Sequence, residues 1–126
     1  MEAVAAFDPY FHYAVFHGMV EVLSDEAARL FRFKEQEQLH EEIIDTGLAR
    51  FYQAHLDVAR RVAEEEGVEL KTTLLTGRAA DEVLAYAAEA RPWLMVVGRI
   101  GSHSRAGMDL GSVTEHLLRF GESNLM

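Results

Sequence analysis

Apolar positions along this chain follow two spacings, and the switches between them lay out an alternation of strands and helices. The run Val4-Ala5-Ala6-Phe7 is short and continuous, as in a buried strand. Asp8-Pro9 ends it, because Asp before Pro favours a turn and Pro suits the first turn of a helix. From Tyr10 to Leu23 the spacing becomes helical, through Phe11, Val15, Met19 and Val22. Ser24-Asp25-Glu26 is a second helix start, with Ser24 as the N-cap. An amphipathic pattern then runs from Lys34 to Glu66 through Leu39, Ile43, Leu48, Phe51, Leu56, Ala59 and Val62. Steps of three to five residues mean helix, with Thr46-Gly47 as the place for a break and Gly67 as the stop. Val68 to Leu75 predicts a strand, and a helix over Asp81–Ala90 follows Gly77. After Arg91-Pro92 comes an apolar run, Trp93 to Val97, of the kind buried in parallel sheets. Ser112 opens a last helix with Val113, Leu117 and Phe120 on one face and Leu118 beside them. Strands separated by helices predict an α/β fold, a doubly wound parallel twisted sheet with helices on both faces.

The segment joining the last strand to the last helix carries the chemistry. It reads Val96-Val97-Gly98-Arg99-Ile100-Gly101, then nine residues, then Gly111-Ser112-Val113. A strand, a glycine-punctuated loop and a helix N-terminus form an anion site. Glycines let backbone N–H groups approach a phosphate closely, and the first helical turn adds N–H groups of its own. With glycine at ~7% of residues, this spacing should arise by accident in roughly one chain in two hundred of this length.

Net charge is −9, which disfavours nonspecific binding to nucleic acid or an anionic membrane surface. Between Gly98 and Met108 the balance is locally reversed, with Arg99, His103 and Arg105 and no carboxylate until Asp109. The 126 residues suit a single domain, and 49% of them are hydrophobic, which argues against disorder. No run approaches the ~20 apolar residues that cross a bilayer, and no basic, apolar leader opens the chain. Cysteine is absent, so disulfides and thiol chemistry are excluded and a cytoplasmic location is expected.

The spacing Gly98-x2-Gly101-x9-Gly111-Ser112 resembles that of the universal stress protein family. The resemblance extends to Val4-Ala5-Ala6-Phe7-Asp8, similar to the family's first strand, and to Val68–Leu75 with Asp81–Ala90, similar to its third strand and helix. It implies a Rossmann-like fold, related to adenine-nucleotide α-hydrolases, that binds ATP or AMP, with or without Mg, at the carboxyl ends of the first and fourth strands. It also implies a homodimer. Two segments depart from the family. Its second strand would lie near residues 28–34, where Ala28-Arg29-Leu30-Phe31-Arg32-Phe33 follows a helix start, so strand and helix are both open. Its fifth strand would begin where this chain reads Ser123-Asn124-Leu125-Met126. This implies a domain cut short of that strand or part of a longer tandem chain.

The expected ligand-binding residues are Ala6, Phe7, Asp8, Val97, Gly98, Arg99, Gly101, Gly111, Ser112 and Val113. Gly98 and Gly101 would shape the turn around phosphates, and Gly111, Ser112 and Val113 would present N–H groups at the helix start. The Ser112 hydroxyl either bonds a phosphate oxygen or caps its own helix. Arg99 and Arg105 either meet phosphate as charged donors or are solvated. The resemblance gives Asp8 an adenosine hydroxyl or amine as donor; the alternative is a turn residue closing the strand before Pro9. Phe7 stands where nucleotide-binding members have a smaller polar residue, so it either stacks on adenine or fills the pocket.

Other constellations carry less. Glu37-Gln38-Leu39-His40 has the Glu-x-x-His spacing of di-metal bundles, but a second copy is missing, so a solvated charged face is expected and no metal. His103 is expected to face solvent, and His55 to be half-buried with one hydrogen bond. Neither a Gly-x-Ser-x-Gly elbow nor a Gly-x4-Gly-Lys-Ser/Thr loop occurs. With no obvious metal-holding carboxylate beside the loop, enzymatic activity would be limited to slow ATP hydrolysis. The expected function is adenine-nucleotide binding for sensing or regulation. The alternative is an interaction module of the same fold that works through Ser24–Gly67 without a nucleotide.

Overall fold

The computed structural model describes residues 1–10, 14, 33–101 and 109–126, and among residues 33–44 only the side chain of Ile43. The expected helix over Tyr10–Leu23, the Ser24 cap and residues 28–32 lie mainly outside the described residues. Phe33 opens a helix rather than closing a strand. The chain forms two compact units, Met1–Gly77 and Arg78–Met126.

In the first unit, β1 (Glu2–Phe7) and β2 (Lys71–Thr76) pair in parallel, from Glu2 opposite Lys71 to Phe7 opposite Thr76. Parallel neighbours need a long crossover, and α1 (Phe33–Glu65) supplies its helix. The ladder is extended at both ends, by Lys71 N–H to the Met1 carbonyl (3.0 Å) and Gly77 N–H to the Phe7 carbonyl (2.9 Å). At its start the Glu2 carboxylate bridges two neighbours on β2. It meets Lys71 Nζ at 3.1 Å and accepts the Thr73 hydroxyl at 2.6 Å.

Helix α1 passes through Thr46-Gly47 without a break. A glycine inside a helix costs about 1 kcal/mol, which the uninterrupted pattern on either side outweighs. Leu48, Tyr52, Leu56, Ala59 and Ala63, spaced by three or four, are the half-buried or buried line. Phe7 and Leu56 are buried, and the Phe7 ring stacks on Tyr52 with centroids 6.0 Å apart. Ile43, Phe51 and Val62, also expected in the apolar pattern, are exposed on a second line with Val58. His55 lies there too: it is exposed, with its ring edge-on to Phe51 at 4.5 Å, not half-buried as expected. The apolar sector of α1 is wider than two strands can cover. Gly67 (φ 69°) ends the helix in the left-handed conformation, as a Schellman motif. Val68 N–H reaches the Ala63 carbonyl and Gly67 N–H the Glu64 carbonyl, which satisfies two of the last carbonyls.

In the second unit, α2 (Ala79–Ala90) and α3 (Ser112–Phe120) pack together, with Ala87 and Leu117 buried. β3 (Leu94–Met95) pairs in parallel with β4 (Asn124–Leu125). The strand implied at the end of the chain is thus begun within it. Met126 N–H and Val97 N–H extend this ladder to Met95 and Met126 carbonyls. The expected five-residue buried strand is reduced to two residues. Trp93 and Val96 are 82% and 68% exposed. With one paired neighbour among the described residues, the run lacks the cover that a central strand has on both faces. No helix among the described residues is long and apolar enough to cross a membrane.

Candidate functional site

The connection from β3 to α3 returns on itself at its base. Gly111 N–H donates to the Arg99 carbonyl at 2.8 Å, and the Arg99 guanidinium reaches the Asp109 carbonyl at 3.4 Å. Below these, the Thr114 hydroxyl donates to the Gly98 carbonyl at 2.7 Å. The strand exit and the helix start are therefore tied twice, once through backbone and once through a side chain.

Gly111, not Ser112, is the N-cap residue of α3, and as a glycine it has no side chain with which to cap the helix. The first backbone bond of the helix runs from Glu115 N–H to the Gly111 carbonyl. Ser112, Val113 and Thr114 consequently have N–H groups with no acceptor inside the helix, and the helix dipole places partial positive charge there. Ser112 is exposed and its hydroxyl does not cap. The carboxylate of Glu115, which would oppose an anion, is paired with Arg119 at 2.7 Å.

The loop glycines differ in their surroundings. A Cβ on Gly111 would lie 3.3 Å from Gly101 N and 3.4 Å from Ile100 Cα, tight enough that the backbone of residues 100–101 would have to give by a few tenths of an ångström. A Cβ on Gly98 would make an ordinary 3.5 Å contact with the Ile100 carbonyl. At Gly101 it would meet nothing within 4 Å among the described residues. A side chain is thus crowded at Gly111 but meets none of the described residues at Gly101.

Val97, Gly98, Arg99, Gly101, Gly111, Ser112 and Val113 are thus gathered in one unit around one loop. Ala6, Phe7 and Asp8 belong to the other unit, at the carboxyl end of β1. There the Asp8 carboxylate accepts Tyr10 N–H at 2.9 Å and closes the turn into Pro9, the role weighed against ligand contact. The Phe7 ring is packed on Tyr52. His103 and Arg105 lie outside the described residues, as do the side chains of Glu37 and His40. Among the described residues no group of three His, Cys, Asp or Glu side chains could hold a metal.

Thr114 was missed by sequence reading, which put Val113, Leu117 and Phe120 on the inner face of α3. Thr114 and Leu117 are buried, while Val113, Leu118 and Phe120 are exposed. The available signal was a short β-branched donor three residues into the helix and one turn before Leu117, where its hydroxyl can reach a neighbouring backbone carbonyl.

The chain resembles Universal stress protein MJ0531 of Methanocaldococcus jannaschii, 32% identical over 78 residues. That match takes in 62% of this chain and 46% of the relative, so it spans about half of the relative's length. Among solved structures, that of hypothetical protein MJ0577 superposes with a TM-score of 0.70 over 99% of this chain and 71% of its own, at 14% identity. This supports a parallel α/β fold. The model of the universal stress protein family matches residues 15–122, most of the chain and the whole glycine loop, and on that ground the chain belongs to the universal stress protein family.

Proposed function

We propose that this chain binds an adenine nucleotide, ATP or AMP, and that the loop Gly98–Gly111 with the first turn of α3 receives its phosphates. The observation that carries the proposal is the tied loop base, Gly111 N–H to the Arg99 carbonyl and the Thr114 hydroxyl to the Gly98 carbonyl, which holds the glycine loop against three first-turn N–H groups that have no helical acceptor. Such N–H groups and the helix dipole favour an anion. Val97 and Val113 would border the ligand. The role that goes with such binding is sensing or regulation. The test is the nucleotide content of the purified protein, followed by calorimetric titration with ATP and AMP, with and without magnesium. Bound or titratable adenine nucleotide, lost in Gly111→Val, is the expected result. No binding at millimolar nucleotide would overturn the proposal.

A second reading has one observation in its favour: the exposed apolar line Ile43, Phe51, Val58 and Val62 on α1. In that reading the domain is an interaction module working through the region 24–67. A protein without nucleotide binding whose oligomeric state changes on Phe51→Glu would support it.

A further inference from the structure

We infer that Thr114 is the positioning residue of the loop, and that its buried hydroxyl, rather than that of Ser112, sets the geometry in which the first-turn N–H groups meet phosphate. Thr114 is 8% exposed and its Oγ1 lies 2.7 Å from the Gly98 carbonyl. A threonine inside a helix ordinarily returns its hydroxyl to a carbonyl three or four residues back. Here the proton goes outside the helix to the last residue before the loop turns. The bond joins residues 16 apart in sequence and encloses the second tie, Gly111 N–H to the Arg99 carbonyl. Each tie restrains the other. With the hydroxyl gone, the Gly98 carbonyl is released from α3, and the Gly111 contact alone holds the strand exit against the helix. The amides of Ser112, Val113 and Thr114 remain in the helix, but their placement relative to Gly98 and Gly101 is no longer fixed. The Thr114 side chain does not touch the ligand in this scheme. It acts through the backbone on either side.

The ligand arm of this inference rests on the proposed nucleotide binding; the structural arm does not. Thr114→Val keeps the shape and removes the donor, Thr114→Ser keeps the donor, and Thr114→Ala serves where valine is not accommodated. In the protein without ligand, hydrogen exchange at the Gly111 amide should quicken about tenfold in Thr114→Val or Thr114→Ala, the equivalent of one lost hydrogen bond. It should return to the wild-type rate in Thr114→Ser. In titrations, ATP affinity should fall about tenfold in the hydroxyl-free variants, while adenosine, which lacks phosphate, binds as before. Thr114→Ser should bind ATP within about twofold of wild type. A residue that only supported the fold would lower the melting temperature and weaken both ligands together. Unchanged Gly111 exchange with unchanged ATP affinity in Thr114→Val overturns the inference. If the wild type binds neither ligand, the functional proposal fails, and Gly111 exchange still decides whether Thr114 ties the loop.

Discussion

Substituting alanine at the two loop glycines should separate folding from binding. At Gly111 the backbone angles are φ −74° and ψ 148°, open to any residue, so alanine meets no conformational barrier there. What it meets is the loop, with its Cβ 3.3 Å from Gly101 N and 3.5 Å from the Arg99 carbonyl. Gly101 N must give by a few tenths of an ångström, whereas the Arg99 carbonyl, the acceptor for Gly111 N–H, stays at ordinary contact distance. Crowding of this kind costs about 1–3 kcal/mol, and alanine is a poorer N-cap than glycine by about another 0.5–1 kcal/mol. The smaller unfolded-state entropy of alanine returns about 0.4–1 kcal/mol. A net loss of about 0.5–3.5 kcal/mol follows, centred near 2 kcal/mol and visible as a lower urea midpoint with unchanged slope. At Gly101 the added methyl group touches none of the described residues, so stability should stay within about 0.5 kcal/mol of wild type or rise slightly. If phosphate lies against this backbone, the same methyl occupies its approach. Displacing one charge-assisted hydrogen bond of about 1.5–3 kcal/mol weakens ATP by at least about tenfold. Urea unfolding and calorimetry on the same samples provide both numbers. Gly101→Ala with full stability and undiminished ATP affinity would refute the placement of phosphate at this turn.

Three further substitutions test the packing. Gly47→Ala should stabilise the protein by about 0.5–1 kcal/mol, since its Cβ meets none of the described residues within 4 Å and α1 is continuous there; a urea midpoint below wild type would contradict this. Gly121→Ala should destabilise by about 1–3 kcal/mol or more, because its Cβ would stand 2.6 Å from the Leu117 carbonyl oxygen; thermal unfolding at the wild-type temperature would disprove that contact. Arg91 ends α2 in the left-handed region at φ 47°, so Arg91→Gly should relieve about 1 kcal/mol of strain. The flexibility gained by the unfolded chain offsets part of that, and a fall in melting temperature would count against the strain.

The long-range order of the fold was legible because it rests on periodicity. The three-and-four spacing through Leu48, Leu56 and Ala59 foretold α1, and Gly67 foretold its end. The strand–helix alternation foretold parallel pairing. Where single residues decide, reading was less secure. Thr46-Gly47 looks like a break, yet one glycine is a small term against 33 helical residues. Trp93–Val97 has the composition of a buried strand, but burial depends on neighbours that composition does not reveal. On α1 the apolar sector is broad enough that periodicity could not tell Tyr52 and Leu56, on the inner line, from Phe51 and His55 beside them. The loop was located from its glycines, but the distribution of labour within it was not. Ser112 and Thr114 are both hydroxyl donors near a helix start, and a two-residue difference turns one to solvent and the other to the Gly98 carbonyl.

The pairing of β1 with β2 joins residues 69 positions apart in sequence, whereas β3 and β4 join residues 30 apart. Closing the longer span costs only about 0.7 kcal/mol more in chain entropy, but on the ribosome the distance becomes time. At about 5–20 residues per second, the strand Glu2–Phe7 waits roughly 3–14 s between its own synthesis and that of its partner. Throughout that interval its backbone edge has no β2 to pair with, and the Phe7 ring waits for Tyr52, which is synthesised before β2. The opening strand is therefore the part of this chain most in need of shelter by the exit tunnel or a chaperone, and slowed translation before residue 76 should be read out as lost soluble yield.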